Sequence, residues 1–129
     1  MKSKNRLSKR SDIEKVRRTG RTWANGMLVL ITVPNGLEQS RFGFSVSRRI
    51  GSAVRRNRVR RLIREAVRLR LDQIAPGRDV LLIARGPITG KSFREVDGSL
   101  ADVLFRAGML QNPKSEAVAP LRSGAAGVL

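Results

Sequence analysis

Arginine side chains crowd residues 51–70, which read GSAVRRNRVRRLIREAVRLR. A guanidinium group is planar and binds phosphate through two parallel hydrogen bonds, so an arginine cluster is typical of a phosphate-binding surface. Five of these cations fall in the first turns of a predicted helix: Arg55, Arg56, Arg58, Arg60 and Arg61. The helix dipole disfavours each cation there by about 0.3–1 kcal/mol, and functional sites are where such conflicts with folding are kept. The cluster therefore predicts an anionic partner.

The helix that holds these cations is predicted over about residues 52–71. At about 100° per residue, its apolar side chains share one arc: Val59, Leu62, Ile63, Ala66 and Leu69. The opposite face is basic, with Arg58 at its edge, and carries Arg56, Asn57, Arg60, Arg61, Arg64 and Arg68. A merely solvated face mixes acids with bases, whereas this one has a single nearby acid, Glu65. Phosphate binding is the favoured interpretation.

The whole chain is strongly cationic. Its 129 residues carry a formal net charge of +17, from 27 Lys and Arg against 10 Asp and Glu. The excess lies in two blocks, residues 1–21 and 41–70, which favours a nucleic acid as the partner and an anionic membrane as the second choice. The chain has no Cys and no His, which excludes disulfides, thiolate metal sites and histidine bases. Neither a signal peptide nor a membrane span is recognisable, so a cytoplasmic protein is expected.

The remaining pattern predicts an α+β fold. Helices are expected over residues 11–19, 52–71 and about 93–110, and strands over 23–33, 41–47 and 79–84, the first broken at Asn25-Gly26. Capping boxes are predicted at Ser11–Glu14 and Ser92–Glu95, and Gly20 is expected to end the first helix. The order α-β-β-(β)-α-β-α indicates a two-layer α/β sandwich on one small mixed sheet. Residues 1–110 form one predicted domain, and 111–129 are expected to be a disordered tail.

Residues 41–68, RFGFSVSRRIGSAVRRNRVRRLIREAVR, resemble the signature of the bacterial ribonuclease P protein subunit. The segments RLSKRSDIEKVRRTGR and DVLLIAR are similar to its first helix and last strand, so the resemblance covers about residues 5–110. It implies one protein bound to a catalytic RNA in a complex that removes the 5′ leader of precursor tRNA. It also implies that the chemistry and its Mg²⁺ ions belong to the RNA, that the isolated protein is inactive, and that the βαβ crossover is left-handed. No catalytic residue and no metal ligand is expected in the chain.

The resemblance also implies roles for single residues. The basic helix is expected to contact the catalytic RNA through Arg56, Asn57, Arg58, Arg60, Arg61, Arg64 and Arg68. A cleft between the first helix and the sheet is expected to receive the leader and precursor tRNA through Ile13, Arg17, Ile31, Ser45 and Arg49. The family often has aromatic residues where this chain has Ile13, Arg17 and Ile31, and core packing of the two isoleucines is an equally good interpretation.

The composition is also compatible with three other functions. A catalytic site of the protein's own would need carboxylates, but Asp97 and Asp102 do not share a helix face, and Glu65 and Asp72 are interpreted as ion-pair partners. A general RNA-binding or ribosomal protein can have the same composition. Only the extended motif of residues 41–68 distinguishes this chain from such a protein. Membrane binding by the basic helix is disfavoured because residues 59–69 contain no Trp or Phe.

Overall fold

The computed structural model describes residues 2–111 of the chain. Helices and strands follow the predicted order, with the first strand region split in two at Asn25-Gly26: α1 (Arg10–Thr19), β1 (Arg21–Ala24), β2 (Leu28–Pro34), β3 (Arg41–Ser45), α2 (Ala53–Arg70), β4 (Arg78–Ala84) and α3 (Phe93–Arg106). Residues 112–129 of the predicted tail lie outside this range. Within residues 2–111, none of the helices has the length and apolar character to cross a membrane.

The four strands form one mixed sheet in the order β1-β2-β4-β3. The β1–β2 and β2–β4 pairs are antiparallel, whereas β3 and β4 are parallel and are connected through α2. The α+β class and the mixed sheet are confirmed, and the left-handed sense of the β3–α2–β4 crossover stays a prediction.

One face of the sheet carries α2 and α3 over the main core, which is the predicted two-layer sandwich. The buried stripe of α2 consists of Val59, Ile63, Ala66 and Val67. The prediction that Leu69 belongs to this stripe is wrong, because 53% of that residue is exposed. Leu69 points about 100° away from the centre of the buried arc, and Val67 takes the predicted place in the core.

The other face of the sheet carries α1, which adds a short third layer. Beneath it lies a small separate cluster of five buried side chains: Leu7, Val16, Ile31, Val33 and Leu81. Only part of this face is covered, because α1 has 10 residues.

The helix ends agree with the sequence at three of five signals. Gly20 ends α1, and the capping box of Ser92 and Glu95 opens α3. The predicted capping box at Ser11 and Glu14 is wrong, since α1 begins at Arg10 and its N-cap, Lys9, has no side-chain hydrogen bond. Helix α2 begins at Ala53, next to its predicted start at about residue 52, and its N-cap, Ser52, accepts a hydrogen bond from the Arg55 N–H at 3.2 Å. The last helix stops at Arg106, four residues early, because the chain turns at Gly108, which has a φ of 72°.

Candidate nucleic-acid interface

The start of α2 is fixed by local structure that brings its cations to the surface. A short 3₁₀ turn, Arg48–Ile50, follows β3, and the buried Ile50 anchors it in the main core. Gly51 then adopts a φ of 141°, a conformation that side chains rarely adopt. The chain thereby turns into the Ser52 cap, and most side chains of the first turns of α2, up to Arg58, are exposed.

Outside its packed stripe, α2 carries an arginine ridge, defined here as Arg56, Arg58, Arg60, Arg61 and Arg64. The prediction that Arg56 lies opposite the apolar face is wrong, because Arg56 is seven residues before the buried Ile63 and therefore lies on the same side of the helix, one turn before the packed region begins. Within residues 2–111, no carboxylate forms an ion pair with any of these five side chains. Their contacts are neutral: Arg56 donates to the Gly51 carbonyl at 3.2 Å, and Arg60 donates to Asn57 Oδ1 at 3.1 Å. A guanidinium has five N–H donors, so most donors of the ridge remain free for an anion. Asn57, predicted to bind RNA itself, thus also orients Arg60.

Arg64 is held differently, against an aromatic ring. Its Cζ lies 5.6 Å from the centroid of the Phe44 ring, within the range of a cation–π contact. Phe44 is half-buried on the edge strand β3, so this contact places the guanidinium where the ridge meets the sheet edge.

Arg68 lies on the predicted face of α2 but is electrostatically distinct from the ridge. It donates to both carboxylate oxygens of Glu65, at 3.0 and 2.6 Å. This hydrogen bonding lowers the pKa of Glu65 and raises the pKa of Arg68. The charge of Arg68 is therefore balanced within the chain, as the prediction for Glu65 implied.

Two acidic side chains of α3 also form ion pairs with arginines. Asp97 accepts two hydrogen bonds from Arg70, and Asp102 pairs with Arg106. Because α3 is continuous over both acids, their spacing of five residues sets them about 140° apart around the helix, and the prediction that they do not share a face is confirmed. The predicted pairing of Asp72 is wrong, since it has no ion pair with any of residues 2–111. Among residues 2–111, no three or more acidic side chains come together in a group that could hold a metal ion.

A second feature lies on the sheet face beside α1. The strand register aligns four residues in one row across the sheet, Ala24, Val29, Ile83 and Ser45, and α1 leaves this row partly exposed. We call this row and the flank of α1 that borders it the trough.

The flank of α1 is identified by its contacts. Ile13 packs on the same cluster as Val29 and Ile83, and Arg17 follows it one helical turn later with an exposed side chain. On the opposite flank, Asp12 meets Arg41 at the other end of the sheet. The trough therefore has an apolar floor with a cation along one side.

The predicted leader-binding residues separate into three places. Ile13, Arg17 and Ser45 border the trough, whereas Arg49 is exposed on the 3₁₀ turn between β3 and α2. Ile31 is 9% exposed and lies in the cluster beneath α1, so the open question about its direction is answered in favour of the core.

Sequence reasoning missed Val29 and Ile83, which form the floor of the trough. Their positions follow from strand alternation once β4 is known to lie between β2 and β3, because Ile83 then pairs with both Val29 and Ser45.

Comparison with known proteins covers nearly all of this structure. The family model described as Ribonuclease P matches residues 1–108. A ribonuclease P protein component of Roseiflexus castenholzii is 47% identical over 117 residues, which are 90% of this chain and 96% of that protein. That of Clostridioides difficile is 44% identical over 101 residues, covering 78% and 89% of the two chains.

Solved structures agree with the sequence relatives. The RNase P protein of Thermotoga maritima superposes with a TM-score of 0.74 at 31% identity, over 78% of this chain and 96% of that one. A Staphylococcus aureus RNase P protein mutant, described as having defective mRNA degradation activity, gives a TM-score of 0.79 at 30% identity, over 83% and 91%. Because the family model matches residues 1–108 and these curated relatives are 44% and 47% identical over most of both chains, the chain belongs to the bacterial ribonuclease P protein family.

Proposed function

We propose that the arginine ridge binds the catalytic RNA of ribonuclease P and that the trough binds the 5′ leader of precursor tRNA. Family membership supplies the wider role, since the chain is the protein subunit of the ribonucleoprotein endonuclease that processes the 5′ ends of precursor tRNA. The observation that carries the proposal is the row of five ridge arginines without a carboxylate partner among residues 2–111. Their counter-charge must come from outside the described chain.

The ridge suits an RNA backbone for physical reasons. Its cations project from successive turns of one helix, a spacing that can follow a line of phosphates. Each arginine that binds a phosphate releases condensed counterions, so affinity falls steeply with salt. Screening by the ridge also reduces repulsion between the catalytic RNA and the substrate, which predicts a lower Mg²⁺ requirement for the complex than for the RNA alone.

The trough suits a single strand rather than a duplex. Its floor is one row of aliphatic side chains, with Val29 and Ile83 at the centre, and it carries none of the aromatic residues on which bases commonly stack. Arg17 on α1 and Ser45 on β3 offer a guanidinium and a hydroxyl to the backbone from the two sides. The contacts are independent of base identity, as one leader site for many precursors requires.

The finer features of the complex are part of the same proposal. Mg²⁺ is held by the RNA, one protein binds one RNA, and the isolated chain does not cleave precursor tRNA. A cytoplasmic location stays a prediction. The description of the S. aureus mutant names an mRNA degradation activity, and degradation of mRNA by this chain is therefore the alternative to test.

Two variants of equal charge test the ridge. Arg60→Ala removes a ridge arginine, whereas Arg94→Ala removes an exposed arginine of α3 that is also free of ion pairs within residues 2–111. Arg60→Ala is expected to weaken binding to the catalytic RNA and to reduce the slope of log K against log salt by about 0.7–0.9, and Arg94→Ala to leave the slope unchanged. Equal effects of both variants would show that RNA affinity depends on the net charge of the protein and not on the ridge.

Cleavage assays complete the test. The protein is mixed with its catalytic RNA, with precursor tRNA, or with mRNA alone. Cleavage of precursor tRNA only when the RNA is present supports the proposal, together with a lower Mg²⁺ requirement than that of the RNA alone. Degradation of mRNA by the RNA-free protein would instead establish the alternative, and an unchanged Mg²⁺ requirement would contradict the screening role.

A further inference from the structure

Arg41 sits in a network at the end of the sheet opposite the trough. Its Nε and Nη2 donate to the two oxygens of Asp79 at 2.8 and 2.7 Å. Asp79 is 5% exposed and also accepts a hydrogen bond from Asn35 Nδ2 at 2.9 Å. This buried carboxylate fixes the orientation of the Arg41 guanidinium and raises the pKa of Arg41. The third nitrogen, Nη1, is then directed to Asp12 on α1, 3.5 Å away from its Oδ2.

Few contacts hold α1 against the sheet. Its apolar contact is the small cluster, in which Val16 of α1 packs with four other buried side chains and Ile13, Val29 and Ile83 lie at the margin. The pair of Asp12 with Arg41 is the one ion pair that α1 forms within residues 2–111. Asp12 directly precedes Ile13, and Arg17 follows five residues later on the trough flank. A shift of α1 at Asp12 therefore moves both residues that border the trough.

We propose that Asp12 is a positioning residue for leader binding. Its ion pair with Arg41 determines the position of α1 on the sheet and hence the shape of the trough. The inference rests on the proposed binding of the leader there. Electrostatics alone predicts the opposite sign, because neutralising an acid in a protein of net charge +17 favours every RNA contact. A loss of leader affinity after removal of this acid therefore points to geometry.

Asp12→Asn and Glu14→Gln are matched variants that change the net charge equally. Glu14 lies on the same helix, is exposed, and forms no ion pair within residues 2–111. For the assembled complex, Asp12→Asn is expected to lower the ratio of precursor to mature tRNA affinity by up to about fivefold, the fold-change that about 1 kcal/mol produces. Glu14→Gln is expected to keep the ratio, both variants to keep binding to the catalytic RNA, and Asp12→Glu to restore the ratio.

Asp12 also lies in the first turn of α1, where the helix dipole favours an acidic side chain. A double variant is therefore needed to separate the positioning of α1 from the stability of the helix. Asp12→Asn with Ser11→Asp keeps the net charge and a first-turn acid but directs it about 100° away from Arg41. The double variant is expected to retain the low affinity ratio, with thermal melting as the check on folding. A restored ratio, or equal ratios for Asp12→Asn and Glu14→Gln, would overturn the inference. A ratio near one for the unaltered protein would instead refute leader binding in the trough.

Discussion

Gly20, where α1 meets β1, provides the sharpest test of how the helix is seated. Its φ of −78° and ψ of 158° are open to any residue, so an alanine there is limited by contacts alone. A Cβ atom would lie 2.5 Å from Ile31 Cγ2, 2.5 Å from the Val16 carbonyl oxygen and 3.1 Å from the Thr32 carbonyl oxygen. Two of these three neighbours are backbone atoms that cannot rotate away. Overpacking of this kind costs about 1–3 kcal/mol, and the rigid neighbours favour the upper half of that range.

Gly98→Ala is the control, and the expected effect has the opposite sign. Gly98 lies inside α3, and a Cβ atom there would meet no heavy atom within 4 Å apart from the nearby backbone of its own helix. Alanine in place of an unconstrained helical glycine stabilises by about 0.4–1 kcal/mol. Thermal unfolding followed by circular dichroism should therefore move the two variants in opposite directions, by about 4 °C for each kcal/mol. A Gly20→Ala protein as stable as the unaltered chain would refute the close packing of the C-terminal end of α1 against β2.

Two further outcomes are expected. Ile31→Tyr, which introduces the kind of aromatic residue common at this position in the family, should lower the stability to urea by about 1–3 kcal/mol because the ring overpacks the cluster beneath α1; tighter precursor binding with unchanged stability would place the side chain in the trough instead. Glu95→Gln should flatten the acid limb of the stability curve. Hydrogen bonds from the Ser92 backbone and side chain lower the pKa of Glu95, so its contribution is fully present above the ordinary Glu pKa of about 4.3 and is lost as the pH falls through the lowered value. Melting temperatures between pH 7 and pH 3 measure this, and parallel curves for the two proteins would contradict it.

The sequence predicted best those features that depend on neighbouring residues in the chain. The Ser92 capping box, the Ser52 start of α2 and the basic face of that helix all follow from local spacing. The start of α1, by contrast, could not be predicted from local spacing. Leu7 donates its N–H to the Phe42 carbonyl at 2.9 Å and packs on Gly43, which fixes how the chain enters the helix. A contact across 35 residues thus overrides the capping pattern at Ser11.

The trough could be predicted only in part for a related reason. Its helix side, Ile13 and Arg17, was found from the resemblance, whereas its floor depends on the order of the strands. Val29 and Ile83 are 54 positions apart in the chain and become neighbours only because β4 pairs with β2. Ile31 lies two residues after Val29 and therefore on the same face of the sheet. Only Ile31 is buried under α1, because the helix covers just one end of that face.

The edge strand β3 connects the two proposed RNA sites through its alternation. Phe44 points to the α2 side and holds the Arg64 guanidinium 5.6 Å from its ring centroid. Ser45, the next residue, points to the opposite side and ends the row that forms the trough. Since successive side chains of a strand face opposite ways, a single peptide unit separates Phe44, which holds one arginine of the ridge, from Ser45, which ends the row of the trough. Under the proposed function, an RNA bound on the ridge therefore fixes the position of the trough to within the rigidity of one paired strand, so that the leader is held at a defined place relative to that RNA.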